Sequence, residues 1–365
     1  MNKPLPTTHP RLATGASRHL PMRASLATLG LIALLCLIGP LASGHPYDQV
    51  YRDYVLVRPS LFAHPDATET REALEGIARR MRVRVEASRQ DGEVLHLAFS
   101  ADRPIDPRAL RAFERSDVFG RAGITGTEDE GRRLSIDVPL KRTVFLFGTD
   151  TNGRDLFTRT LIAGRISLAV GLLASFVALT IGVAYGAVAG YAGGRIDALM
   201  MRIVEIVYAL PFIFFVIVLV MVFGRHFVLI FIAIGAVEWL DMARIVRSQT
   251  LSIKQRDFVA AAEALGASAP AILWRHVIPN AAGPIAAFLA VLVPRVILLE
   301  SFVSFLGLGV QEPLTSWGVL VADGARNIQG SIHLLIFPAL FLGATLGALQ
   351  SLGNAWHGPP GAGHH

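Results

Sequence analysis

The sequence predicts an all-α polytopic membrane protein with a small α+β domain inserted between its first and second membrane helices. Three observations lead there. The 365 residues are 52% hydrophobic and 17% charged, against about 25% charged in soluble domains, and the mean hydropathy is +0.49. Several apolar runs approach the roughly 20 residues that cross a bilayer. Between the first two runs, residues 45–145 are polar and patterned like a folded domain.

Charge narrows the class. The net charge of +6 comes almost wholly from arginine, because Lys3, Lys141 and Lys254 are the only lysines. None follows a Gly and precedes a Ser or Thr, so the chain lacks a phosphate-binding P-loop. Any ATP used must be bound by another chain, and no cofactor or metal is expected on this one. The basic residues are spread over loops, which reads as membrane topology and not as a nucleic-acid surface. Cys36 is the single cysteine, so an internal disulfide is impossible.

Residues 1–23 carry Lys3, Arg11, Arg18 and Arg23 and no acids, as expected of an N-terminal tail. Residues 24–44 form the first membrane helix. Its apolar run, Ala24 to Ala42, exceeds the roughly 7–15 residues of a cleaved signal core. In the 45–145 domain, Tyr51 to Arg58 alternates like a strand, and Thr70 to Met81 is helical with Leu74, Ile77 and Met81 on one face. Val83 and Val85 alternate, as do Leu95, Leu97 and Phe99, and Leu134, Ile136, Val138 and Leu140. Pro107 to Arg115 reads as a helix with Leu110 and Phe113 inward. Strand, helix, strand, strand, helix, strand is the split βαβ order. The domain is either a contact surface for a soluble partner or an insertion without such a role.

Residues 146–353 form the membrane core. Asp150, Asn152 and Gly153 make a turn, and Asp155 stands where it caps the next helix. Arg154 and Arg165 are expected near headgroup level. The second span, 166–191, carries Gly182, Gly186 and Gly190 at four-residue spacing, a stripe that lets helix backbones approach closely. A polar elbow with Arg195, Asp197 and Arg202 leads to the third span, 203–223, which contains Pro211. The fourth span is 226–240, the fifth 283–306 and the sixth 331–352, with a polar tail over 354–365. The fifth holds Arg295 and Glu300. A charge at membrane depth costs about 2.5–3.5 kcal/mol on insertion scales. The two are five residues apart and so are poor partners on one helix. Each is expected to meet another group, and both are candidates to line a translocation path. A purely structural polar contact is the alternative for Glu300.

Within the loop 241–282, Phe258 to Asn280 is too polar to span and too patterned to be a linker. Val259, Ala262 and Leu265, with Ala261 and Ala264 beside them, recur at helical spacing. Gly266 stops or bends that helix. Pro270 suits the first turn of a second helix through Ala271, Ile272 and Leu273, and Pro279 is expected to break the chain before the next span. Such an elbow fits a docking element, and equally an amphipathic loop lying on headgroups.

The same residues resemble a known family. Ala261, Ala262, Gly266 and Pro279 stand at the spacing of the Glu-Ala-Ala loop of binding-protein-dependent ABC importer permeases. The motif's Glu position is Ala260, and the nearest carboxylates are Asp257 and Glu263. His276 and Ile278 replace the motif's Ile and Leu. Arg275-His276-Val277-Ile278-Pro279-Asn280 is closer to the dipeptide, oligopeptide and nickel branch. Three further stretches resemble C-type permeases of that branch: Gly148-Thr149-Asp150 to Asp155; Ala243, Arg244, Arg247 and Leu251; and Glu300 to Gly309 with Pro313 and Ser316-Trp317-Gly318. Arg202, Glu205, Ala209 and Pro211 match a fourth pattern, with Glu in place of Asp.

The resemblance implies a type I importer permease of six spans in the bacterial inner membrane. It implies an ATPase-coupling loop that includes Val259, Ala261, Ala262, Glu263, Leu265, Gly266, Ala267, Arg275 and Pro279. It also implies a second permease subunit, two ATP-binding subunits that hydrolyse the ATP, an extracytoplasmic substrate-binding protein, and no catalytic activity in this chain. Peptides are the first substrate class, although nickel chelates and small sugars also fit. The excess of arginine on the elbow side places both termini and the Gly266 elbow in the cytoplasm and residues 45–145 outside. Two other classes compete. A membrane-anchored ligand sensor calls for a cytoplasmic signalling domain, and an ion-gradient transporter calls for carboxylates deep in several spans, whereas only Glu238, near the end of the fourth span, joins Glu300.

Overall fold

The computed structural model describes residues 16–224 and 227–357. The first 15 residues of the N-terminal tail, Arg225 and His226, and residues 358–365 of the tail lie outside them. The helices are α1 (Ala16–Ala42), α2 (Ala67–Met81), α3 (Arg111–Glu114), α4 (Leu156–Ala192), α5 (Gly194–Tyr208), α6 (Phe212–Phe223), α7 (Phe227–Lys254), α8 (Asp257–Ala264), α9 (Ala269–Ile272), α10 (Ile278–Phe305), α11 (Trp317–Arg326) and α12 (His333–His357). The strands are β1 (Arg84–Asp91), β2 (Val94–Ser100), β3 (Gly123–Glu128) and β4 (Arg133–Pro139). The chain divides into two compact units. One comprises Met1–Leu37, Ala163–Ala322 and Ala339–His365, and the other Ile38–Ile162 and Asp323–Pro338.

In the first unit the apolar runs become helices. Among the described residues, Met22–Ala42, Leu156–Ala192, Ala269–Phe305 and His333–Asn354 are long and apolar enough to cross a membrane. Gly194–Tyr208 and Phe212–Phe223 together pass the same test but are bent by 77°. The bend falls at Pro211, whose extended backbone and missing N–H interrupt the helical ladder. The expected continuous span 203–223 is therefore two helices. Two other boundaries move. The second span starts at Leu156, ten residues before 166. The fourth does not end at Leu240: α7 runs on to Lys254, with no Gly or Pro after Gly235 to stop it.

The glycine stripe sets the packing of this unit. Gly182, Gly186 and Gly190 lie against α7 of the same chain. A Cβ on Gly186 would stand 2.3 Å from the carbonyl oxygen of Ala243, and one on Gly190 2.8 Å from that of Arg247. Around the seam, Val170, Ala174, Ala178 and Ala187 of α4 join Ile234, Met242, Val246 and Ile253 of α7 and Leu292 and Val296 of α10 in one buried apolar cluster.

The second unit contains the polar domain. Its sheet has the order β1-β2-β4-β3 and every pairing is antiparallel. The expected split βαβ order does not hold. Residues 51–58 form no strand. They are held instead by the segment that precedes α4, with Tyr51 N–H donating to Gly153 O (2.9 Å) and Val57 N–H to Thr149 Oγ1 (2.9 Å). Tyr51 and Tyr54, three residues apart, are the two buried in the domain core, a spacing that does not follow the alternation of a strand. Burial pushes the Tyr51 phenol up to about 12, so it stays neutral. Strand β3 was not expected, because Gly123 and Gly126 interrupt it and neither face is buried. Helix α2 begins at a capping box made by Asp66 and Glu69, and α2 covers the apolar face of β2 and β4 together with Leu110 and Phe113.

The loop before α4 belongs to this unit. Asp150 accepts N–H bonds from Asn152 and Arg154 (2.8 and 2.9 Å) and pairs with the Arg154 and Arg159 guanidinium groups. Arg154 is thus buried in an ion pair. Asp155 caps α4 by accepting from Thr158 N–H (2.8 Å) and Thr158 Oγ1 (2.6 Å).

Overpacking a tight seam costs about 1–3 kcal/mol or more. Gly186→Leu should therefore lower the thermal midpoint of the detergent-solubilised protein by several degrees. Gly343→Ala, which adds a Cβ with no atom within 4 Å, should leave it unchanged or slightly raised. Equal midpoints for wild type and Gly186→Leu would refute the seam.

Candidate functional site: the Gly266 elbow and the charges of α7 and α10

Helix α8 ends in a Schellman arrangement. Ala267 N–H donates to Ala262 O (3.1 Å) and Gly266 N–H to Glu263 O (2.9 Å), with Gly266 at φ +78°. Nothing lies within 4 Å of a Cβ built on Gly266. The glycine is required there by its backbone angle and not by crowding. Leu265 is the residue that caps α8. It still makes the helical bond to Ala261 O (3.0 Å), and the left-handed turn begins only at Gly266. Val259 is fully buried and Ala262 packs inward, whereas Leu265 is 88% exposed.

Past the turn, Pro270 opens α9, as its fixed φ and missing N–H suit the first turn. Pro279 does not break the chain. A π-helical turn over Leu273–Val277 leads directly into α10, with Pro279 in its first turn. A proline ring clashes with the carbonyl four residues earlier, here Arg275, and the wider π turn removes that clash. Ile272, Val277 and Ala281 anchor this segment in the apolar cluster that also holds Val259 and Ile253. The outward face presents Ala260, Ala261, Ala264, Leu265, Ala267, Trp274 (74% exposed) and Arg275. Phe258 and His276 rings face each other at 6.4 Å.

Three polar contacts tie the elbow end of the bundle together. Arg247 of α7 grips both carboxylate oxygens of Asp197 in the first turn of α5. Lys254 Nζ donates to the carbonyl of Tyr191 in the last turn of α4 (2.6 Å). Tyr191 Oη donates to Glu263 Oε1 of α8 (2.9 Å).

The two candidate path residues go to different environments. Arg295 is half exposed and pairs with Asp241 (2.8 Å) and Glu238 (3.7 Å), both on α7. Glu300 has no exposed surface, so within this chain it does not line an open path. Its Oε1 accepts from Ser304 Oγ (2.7 Å) and its Oε2 from Ser167 Oγ of α4 (3.3 Å). Ser167 Oγ in turn accepts the backbone N–H of Trp317, the first residue of α11 (3.2 Å). Desolvating a carboxylate is offset by such hydroxyl donors. Sequence reasoning missed these partners. Glu238 and Asp241 are three apart and share a face of α7, a signal that a span ending at Leu240 divides.

Removing the Glu300 side chain would leave hydroxyls unmatched and open a cavity, together about 2–4 kcal/mol. Gln keeps the shape and an acceptor. Glu300→Ala should therefore sharply reduce the yield of folded protein on size exclusion, while Glu300→Gln should retain most of it. Equal yields for the two variants would contradict the enclosed cluster.

Comparison with known proteins gives consistent matches. Residues 182–358 match the family described as binding-protein-dependent transport system inner membrane component. The chain is 51% identical over 227 residues to the oligopeptide transport system permease protein OppC of Haemophilus influenzae, covering 62% of this chain and 73% of that protein. It is 53% identical over 208 residues to OppC of Escherichia coli, covering 57% and 69%. It is 46% identical over 209 residues to the dipeptide transport system permease protein DppC of Bacillus subtilis, covering 57% and 65%.

Proposed function

The chain belongs to the binding-protein-dependent transport system inner membrane component family, and from that premise we propose that it is one permease subunit of an ATP-driven peptide importer. Relatives named for oligopeptide and dipeptide transport support the substrate class. The single observation that carries the mechanism is the elbow itself. A short helix, a left-handed glycine and a second helix present Leu265 and Trp274 outward, while Val259, Ile272 and Val277 root them in the bundle. Outward apolar side chains on a rooted support are what a groove on another protein grips.

In this reading the elbow lies in the cytoplasm and docks on one of two ATP-binding subunits, which hydrolyse the ATP. Their closure displaces α8 and α9. The displacement passes to α10 and, through the glycine seam between α4 and α7, to the rest of the bundle. Two permease subunits enclose the path. The apolar groove of about 710 Å³ between α4 and the α9–α10 segment, lined by Leu179, Val183, Trp274 and Ile285, suits a helix of the second permease. Six crossings follow if the bent α5–α6 pair counts as one and α7 as another. Residues 45–145 then lie outside, where a substrate-binding protein delivers its ligand. This chain contributes no bond-making chemistry, and binds no cofactor.

Burying one Leu contributes about 1.5–3 kcal/mol. Leu265→Asp should weaken co-purification of the ATPase subunits at least tenfold while leaving the folded yield unchanged. Gly266→Val, which forces a β-branched residue into a left-handed angle, should abolish ATP-driven uptake, whereas Gly266→Asn should keep most of it. Full uptake in both Leu265→Asp and Gly266→Val would refute the docking role.

Topology has its own check. In a Cys36→Ala background, a cysteine at Ser268 should react with an impermeant maleimide only from the cytoplasmic side, and one at Asp91 only from outside. Labelling of both from one side would overturn the orientation.

A further inference from the structure

We infer that Tyr191 is a positioning residue that latches the coupling elbow to the end of α4, with Glu263 as its partner and Lys254 as its brace. The inference rests on the docking role proposed for the elbow. It starts from an oddity of sequence: the position at which similar permeases carry a Glu is Ala260, and Ala260 is exposed with no polar group to offer. Of the two carboxylates of α8, Asp257 and Glu263, the second stands one turn after Ala260 and is engaged within the chain. Tyr191 Oη donates to Glu263 Oε1 at 2.9 Å.

Tyr191 is fixed from the other side as well. Lys254 Nζ donates to the Tyr191 carbonyl (2.6 Å) and lies 5.0 Å from the centre of its ring. That carbonyl is in the last turn of α4, where it has no helical N–H to accept and where a cation is favoured. Lys254 is itself the last residue of α7. One aromatic side chain thus joins the ends of α4 and α7 to α8. Its backbone is clamped by Lys254, and its hydroxyl reaches the helix that meets the ATPase. Val259 and Ala262 fix how deeply α8 sits in the bundle, but apolar contact is not directional. The Tyr191–Glu263 bond is directional and sets the rotation of α8 about its own axis. A load applied at Leu265 is then borne by α4 instead of rolling α8 in place.

Loss of such a latch should appear as slippage. ATP would still be consumed, and fewer substrate molecules would be carried for each one. The test uses the complete importer, with both permeases, both ATPase subunits and the binding protein, reconstituted in vesicles. Peptide uptake and ATP hydrolysis are measured on the same preparation. Tyr191→Phe keeps the ring beside Lys254 and removes only the hydroxyl. Glu263→Ala removes the acceptor from an exposed position, so it is a second variant with little bearing on folding. Each should lower uptake per ATP about tenfold. The Tyr191→Phe/Glu263→Ala double variant should be no worse than either alone, since both delete the same bond. Glu263→Gln, whose amide oxygen accepts the phenol proton, should restore most of the ratio.

Additive effects, or an unchanged ratio in both single variants, would overturn the latch. Those outcomes are distinct from failure of the docking role, which is read from ATPase retention by Leu265→Asp. If Leu265→Asp loses the ATPases while the Tyr191 and Glu263 variants keep the normal ratio, docking stands and the latch falls. If Leu265→Asp retains them with normal uptake, the docking role falls and the latch with it.

Discussion

Backbone contact between α4 and α7 is the constraint on which the membrane unit depends. At Gly186 the two helices are so close that a single methyl would stand 2.3 Å from a carbonyl oxygen. Little hydrophobic force drives helices together in lipid, so the gain comes from dispersion and weak polar contacts that only small residues permit. With the seam in place, other distances follow. Arg247 reaches Asp197, Lys254 reaches the end of α4, and α8 is folded back against both.

Charged side chains in the membrane unit show how the same protein carries polarity at depth. Glu300 is enclosed by serines from α4 and from its own helix, and the bond that Trp317 N–H donates to Ser167 Oγ links that carboxylate to the first turn of α11. Arg295 instead remains half exposed with two carboxylates from α7. One is an internal joint between three helices, and the other is a charged surface on one side of α10. The two lie on one helix, five residues apart, as different solutions to one solvation problem.

Much of this was legible in the sequence. The glycine stripe announced a close helix contact, and Gly266 announced a turn, because each depends on a property that only glycine has. Other features were hidden. Leu265 fits the periodicity of Val259 and Ala262, yet α8 ends one residue before it, and periodicity carries no information about where a helix stops. Pro279 signals a break only if the preceding turn is α-helical, and a π turn has no sequence mark. The stretch 51–58 buries Tyr51 and Tyr54, three residues apart, which a clamped coil satisfies and a strand does not. Strand β3 has no buried face, so it had no pattern to show. The inserted domain resisted prediction most, since its topology rests on pairings between residues distant in sequence.

The uninterrupted run from the elbow into α10 has a mechanical consequence. Ala269 to Phe305 is 37 residues, about 55 Å of helix at 1.5 Å per residue. No flexible linker stands between the segment that presents Trp274 and the segment that holds Glu300. A rod of that length pivoting by about 10° at one end moves the other by about 10 Å. Its compliant points are the π turn over Leu273–Val277 and the interior prolines Pro284 and Pro294, where the regular ladder is interrupted. Under the docking role proposed for the elbow, a displacement at its base is carried along this one rod, with bending concentrated at those points.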